Sequence, residues 1–315
     1  MDGIEESTNK HAVFIPSKLP SHKEILRILA ENPIDTITVI ALGPLTNLAL
    51  AAAEDTETFL RAKEVVVMGG AIDVPGNVSF PAYRYSPYHG QAKAKQITPT
   101  AEFNFCADAF AAARVLALTS PNPSTTTPPS APDSQPRRPH LAPYPKNLSR
   151  PLKLTLAPLD ITTEHLLTPS AFHKYSDGPL KAGSPLAEWV TAFLAKTFSK
   201  VNENAGALSL HDPLAAWYGI KRLAEDGWAV EHDRDIRVEA AGQWTRGFCV
   251  VDRRENAKAD KRVEDVDVEK HVSGHAGGWF SQRRGNRVGV LVGTPVMESG
   301  RFGELLCERL FGAVR

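Results

Sequence analysis

The residues of this sequence best placed to do chemistry are carboxylates, amides and one histidine, gathered in three short segments. The first is VVVMGGAIDVPGN, residues 65–77. An apolar run ends on Met68, two glycines let the backbone approach a ligand closely, and Asn77 follows as a hydrogen-bonding side chain. The second is TPTAEFNFCAD, residues 98–108. Read as an extended chain, it points Glu102 and Asn104 the same way. A charged acceptor and an amide two residues apart suit a vicinal diol. The third is LHDPLAAW, residues 210–217. Here His211 stands beside Asp212, an acid next to a carboxylate able to ligate a metal. Each has a plain alternative: a strand-to-loop turn, a solvent-facing strand edge, and a helix N-cap with a surface histidine.

The elements that must carry these residues read as α/β. Ile37–Ala41 is a β-branched run, Gly43-Pro44 turns the chain, and Leu45, Leu48, Ala49, Ala52 and Ala53 follow at helical spacing. Glu64–Met68 is a second strand, stopped by Gly69-Gly70. Strand, glycine turn, helix and strand is the grammar of a parallel sheet with crossover helices. Strands buried on both faces read as continuous apolar runs, as these do. Further strands are expected at Leu152–Leu156, Ile236–Val238, Cys249–Val251 and Val288–Val292. Helices are expected over Leu186–Val201, Asp212–Ile220 and Phe302–Phe311. Asp212 would be the cap of its helix and Pro213 the first helical residue. In open parallel sheets, ligands sit at the carboxyl ends of the strands, the position in which all three segments are expected to fall.

Composition bounds the rest. The chain has 315 residues, with 36 Lys and Arg against 36 Asp and Glu. That balance excludes the broad basic footprint of a nucleic-acid binder. No apolar stretch reaches the length of a membrane span, and the polar first residues carry no signal-peptide core. Cys106, Cys249 and Cys307 are odd in number and far apart, which fits a reducing, cytoplasmic setting and argues against a disulfide scaffold or zinc ribbon. Residues 116–150 hold nine prolines, and 119–150 reads as a Pro/Ser/Thr-rich disordered surface insertion, with a proline-rich recognition ligand as the sharper alternative. The alternating charges of 253–275 read as a solvated surface loop. There is no P-loop, GxGxxG, CxxC, HExxH or GxSxG.

Taken together, ITVIALGPLTNLALA, VVVMGGA…GN, TPTAEFNFCADAFAAARVL, LAPLDIT and HDPLAAW resemble the inosine–uridine-preferring nucleoside hydrolases, in that family's order. GQWTRGFCVVDRR is similar to the family's C-terminal strand region. The dialect resembles fungal members. The resemblance implies one domain over 1–315 with a mostly parallel central sheet flanked by helices, open and Rossmann-like. It implies hydrolysis of the N-glycosidic bond of a ribonucleoside to ribose and base, by a water that calcium activates, through an oxocarbenium-like transition state. It implies a ribonucleoside substrate and a homo-oligomer. Asp212 matches the C-terminal metal aspartate, and Leu42 the position whose carbonyl binds calcium. Asn77, Glu102 and Asn104 match the ribose-binding set, and Met68 the methionine packed on the sugar. His211 matches the histidine near the base, an acid in some members. Phe103 falls beside the pocket.

Two departures qualify this. The family's N-terminal DxDxxxDD run, source of two calcium aspartates and the general base, has no counterpart here. The expectation is therefore a domain lacking its first strands, with hydrolysis impaired and the metal site incomplete. The second departure is spacing. Asn77 and Glu102 are 25 residues apart, and removing the 19 residues 78–96 restores the family's short spacing. Val-Ser and Lys-Gln at its ends can be encoded by intron boundaries, so a retained intron translated in frame is one reading. A loop over the pocket, bringing Tyr83, Tyr85, Tyr88 and His89 to the base, is the other. Three functions follow: a ribonucleoside hydrolase, a non-catalytic nucleoside-binding or assembly remnant of the family, and a sugar- or nucleotide-binding module of another class.

Overall fold

A computed structural model describes residues 16–80, 95–96, 98–128, 141–199, 206–253, 279, 284–296, 298 and 300–312. Five strands form the central sheet: β1 (Thr38–Ala41), β2 (Glu64–Met68), β3 (Leu154–Ala157), β4 (Ala229–Arg234) and β5 (Val288–Gly293). Their spatial order is β1-β2-β3-β5-β4. The first four in that order run parallel, and β4 closes the edge antiparallel. The mostly parallel α/β sheet expected from the apolar runs is the one observed.

The glutamate and four apolar residues of EVVVM are all buried, because both faces of the sheet are covered. Val65 and Val67 enter one core with Leu29, Leu48, Phe59, Phe105, Leu116 and Leu156. Val66 and Met68 enter the other with Leu214, Tyr218, Leu291 and Phe302. Each such side chain contributes about 1.5–3 kcal/mol of burial. The first core is roofed by helices Thr46–Glu54 and Ala109–Ala117, rich in alanine on their buried faces. Asp108 ties their starts together: Oδ1 accepts from Ala111 N (3.0 Å), and Oδ2 from Thr46 Oγ1 (2.6 Å). Helix His211–Lys221 lies on the opposite face. It approaches β1 so closely that a Cβ on Gly219 would stand 2.7 Å from Ile40 Cδ1.

Two expectations are corrected. Residues 102–108 are not a strand: Glu102 is the N-cap of a short helix, Phe103–Ala107. The E-F-N-F alternation mimics strand periodicity, but the capping hydrogen bonds of Glu102 decide the conformation. The third segment's helix starts at His211 after Leu210, so Asp212 lies in its first turn and is not the cap. Pro213 is tolerated there because first-turn N–H groups have no intrahelical partner. Strand β4 was not anticipated; its sequence AVEHDR is mostly exposed, as an edge strand permits.

The ends of the 78–96 segment meet. Ser79–Phe80 pairs antiparallel with Lys95–Gln96, and Gly76 N donates to Pro99 O (3.1 Å). Tyr83, Tyr85, Tyr88 and His89 lie outside the described residues. So do 129–140 of the proline-rich stretch and 254–275 of the charged stretch. On the far side of 129–140 the chain is packed: Leu141, Tyr144 and Leu148 contact the first core. Arg114 stacks over the Tyr144 ring at 4.4 Å and donates to Ala142 O (2.8 Å). Burial beside this pair pushes the Tyr144 phenol up to about 12.

Candidate functional site

The carboxyl ends of β1, β2 and β3 deliver Leu42, Met68–Gly70 and Pro158–Thr162 to one edge of the sheet, in register (Ala41 opposite Val67, Met68 opposite Ala157). Leu42 follows β1 at this edge and is exposed.

Glu102 is the hub. It is 1% exposed, and backbone donors take three of its carboxylate's acceptor positions. Oε1 accepts from Asn104 N (2.7 Å), while Oε2 accepts from Phe105 N (3.0 Å) and Gly70 N (3.1 Å). One side chain thus caps a helix and clamps it to the exit of β2. Burial pushes the Glu102 pKa up and is the largest influence; its three N–H donors pull it down, and the nearby charge of Asp212 adds to the rise. Asn104, also buried, donates Nδ2 to Met68 O (3.0 Å) and touches Met68 Sδ (3.5 Å). Asn77 is exposed, and its Oδ1 accepts from Phe103 N (2.9 Å). The Phe103 ring is 58% exposed, outside both cores.

The helix carrying His211 and Asp212 is anchored through Leu210 N, which donates to His165 O (2.7 Å), and through His211 Nδ1, which lies 2.7 Å from Thr162 Oγ1. Partial burial lowers the His211 pKa and raises that of Asp212. The three segments singled out by sequence therefore do converge: Glu102 binds Gly70, feels Asp212, and shares a helix with Asn104.

Sequence reasoning assigned no role to Asp160 or Thr162, although both stand in LAPLDIT. Asp160 accepts from Ile72 N (2.9 Å) and Asp73 N (2.7 Å). With Arg253, which bonds Asp73 Oδ1 (2.6 Å) and, in a second contact, Ile72 O, it pins the loop leading to Asn77. Gly76 completes that loop: a Cβ there would stand 2.1 Å from Ala101 O.

Among the described residues, the donor set does not fit calcium. Glu102 has its oxygens engaged by three N–H groups, which leaves Asp212 and the Leu42 carbonyl. Calcium takes six to eight oxygens, and its affinity follows their charge and number. Among the described residues there is no group of three or more His, Cys, Asp or Glu able to hold a metal ion. None of the described helices is long and apolar enough to cross a membrane, and the three cysteines are free.

Polar side chains converge beyond the carboxyl ends of a mostly parallel sheet, the place where α/β folds hold their ligands. The chain belongs to the inosine-uridine preferring nucleoside hydrolase family, whose model matches residues 2–273. A Schizosaccharomyces pombe protein is 27% identical over 241 residues, 74% of this chain and 59% of its own length. The pyrimidine-specific ribonucleoside hydrolase RihA of Klebsiella pneumoniae is 24% identical over 274 residues, 86% of this chain and 69% of its own. Among solved structures, a plant nucleoside hydrolase, PpNRh1, superposes with a TM-score of 0.59 at 18% identity, over 97% of this chain and 72% of that one. The last is a likeness of fold.

Proposed function

We propose that this chain binds a ribonucleoside by its ribose and acts in hydrolysis of the N-glycosidic bond to ribose and free base. The observation that carries the reading is what the hydrogen bonds leave over. A carboxylate offers about four acceptor positions, and three of Glu102's are taken, so one remains, on Oε1. Asn104 spends Nδ2 on Met68 O and keeps Oδ1 as an acceptor. Asn77 spends Oδ1 on Phe103 N and keeps its amide hydrogens as donors. Two acceptors and a donor group match two neighbouring hydroxyls, each of which donates and accepts. Met68 supplies an apolar wall for the sugar, and Phe103 an exposed ring beside it. His211 serves the departing base.

Family membership supports the reaction class. The calcium ion implied by the sequence resemblance would take Asp212 and the Leu42 carbonyl, and it needs carboxylates beyond these. Hydrolysis by these residues alone is therefore impaired. The lack of an acidic cluster among the described residues favours a second reading, a nucleoside-binding or assembly member without turnover.

The test is calorimetric titration with inosine, uridine and their 2′-deoxy analogues, followed by an assay for reducing sugar. The ribonucleosides are expected to bind at least about tenfold more tightly than the deoxy forms, because a missing hydroxyl leaves buried polar groups unpaired. Equal affinity for both refutes the ribose assignment. Sugar release decides between the two readings.

A further inference from the structure

Thr162 ends the short helix Leu159–Thr162 that follows β3, and it is fully buried, at 0% exposure. Its Oγ1 lies 2.7 Å from His211 Nδ1 across 49 residues of sequence. Two proton arrangements are open to this contact. With the ring proton on Nδ1, Oγ1 accepts and its own hydrogen has no acceptor, since the imidazole is the hydroxyl's sole partner among the described residues. A buried donor left without an acceptor is the costly arrangement. With the hydroxyl donating, its hydrogen and the Nδ1 lone pair satisfy each other, and the proton of the neutral ring must sit on Nε2. His211 Nε2 has no partner among the described residues, and it is not among the sealed-off polar atoms. His165, three residues beyond Thr162, shows the contrast: both ring nitrogens are buried without a partner among the described residues, and the ring packs edge-on against Phe302 at 5.6 Å.

We propose that Thr162 is a positioning residue: its hydroxyl donates to Nδ1, fixes the His211 ring and its Nε2–H tautomer, and so presents a neutral N–H donor to an acceptor atom of the leaving base. The placement of the base rests on the ribonucleoside reading above; the tautomer does not. As the glycosidic bond breaks, its electron pair departs with the base. A directed N–H disperses that charge through a hydrogen bond, with no proton changing hands. Nothing in this device requires His211 to be charged.

The experiment is nitrogen NMR of the full chain labelled with 15N-histidine, at a pH where the ring is neutral. His211 is assigned by its disappearance in His211→Gln. Expected are a pyrrole-type Nε2 and a pyridine-type Nδ1 displaced by an accepted hydrogen bond. Thr162→Ser keeps that displacement. Thr162→Val, similar in shape but without the hydroxyl, loses it. A wild-type ring protonated on Nδ1 overturns the proposal, and so does a valine variant with an unmoved Nδ1 signal. Should the valine variant not fold, the wild-type and serine spectra still decide the tautomer. Inosine is then added. A shift of the Nε2–H signal in wild type, weaker in Thr162→Val, is the expected result. Inosine that binds calorimetrically without moving Nε2–H overturns the donor role. Inosine that does not bind overturns the ribonucleoside reading and with it the base contact, while the ring spectrum still decides, separately, whether Thr162 sets the tautomer.

Discussion

Replacing Glu102 tests the hub of the site directly. In Glu102→Ala, the N–H groups of Gly70, Asn104 and Phe105 lose their common acceptor, in a place 1% exposed to solvent. Losing a helix cap costs about 0.5–2 kcal/mol, and each buried donor left unpaired about 1–3 kcal/mol. Removing a buried carboxylate also relieves its desolvation, which is large enough here to raise its pKa against three donors. The net expectation is a loss of about 3 kcal/mol. Glu102→Gln keeps one oxygen. If it faces Gly70 and Phe105, two of the three bonds survive, and the amide group meets the Asn104 N–H; the expected loss is about 1–2 kcal/mol. Urea denaturation followed by tryptophan fluorescence reads both. The pH dependence has a definite sign. A folded pKa raised above the ordinary 4.5 means the native state holds the proton longer. That contribution is complete below the unfolded value and declines as pH rises through the folded one. The glutamine variant lacks this decline. An alanine variant within about 1 kcal/mol of wild type, or one equal to the glutamine variant, would refute the claim that these three bonds hold the helix to the sheet.

Three further outcomes are expected. Burial lowers the His165 pKa below 6.5, so the unfolded chain takes the proton first. Stability is therefore complete above that value and falls on acidification, by at most about 1.4 kcal/mol per pH unit from this residue. His165→Leu should flatten the urea midpoint between about pH 7 and 5.5, with the slope from His211 remaining; an unchanged slope contradicts the burial argument. Gly76→Ala should lower stability by about 2 kcal/mol or more, because its Cβ would meet backbone, the Ala101 carbonyl, at 2.1 Å. A thermal midpoint equal to wild type would show that the loop before Asn77 is free to shift. Deleting residues 78–96 should leave a cooperatively folding chain, since Gly76 and Pro99 are already hydrogen-bonded. The cost should not exceed the lost burial of Val78, about 1–2 kcal/mol. Loss of cooperative unfolding would make the segment part of the fold, and transcript sequencing across it separates intron from loop.

How the site could be found in the sequence, and why its geometry could not, comes down to particular residues. Strand β2 was legible because four consecutive apolar residues after Glu64, bounded by Gly69-Gly70, suit a strand covered on both faces. Strand β4 was not, because AVEHDR carries no apolar run and pairs along one edge. Glu102 and Asn104 stand out in the sequence on a backbone read as extended, where the structure has a helix and its cap. E-F-N-F alternates like a strand, and glutamate is a rarer N-cap than Asp, Ser or Thr, so local pattern favoured extension. The cap bonds to Asn104 N and Phe105 N decide the conformation, and the bond to Gly70 N, 32 residues away, which no spacing rule contains, fixes the cap to the sheet. Asp160 and Thr162 show the same limit from the other side. Their motif was visible, but the Ile72 and Asp73 amides and the His211 ring that give them work arrive from distant segments. A parallel sheet tells where a ligand goes. Which lone pair is left for that ligand depends on how many backbone donors have already claimed each side chain, and that count exists only once the segments have met.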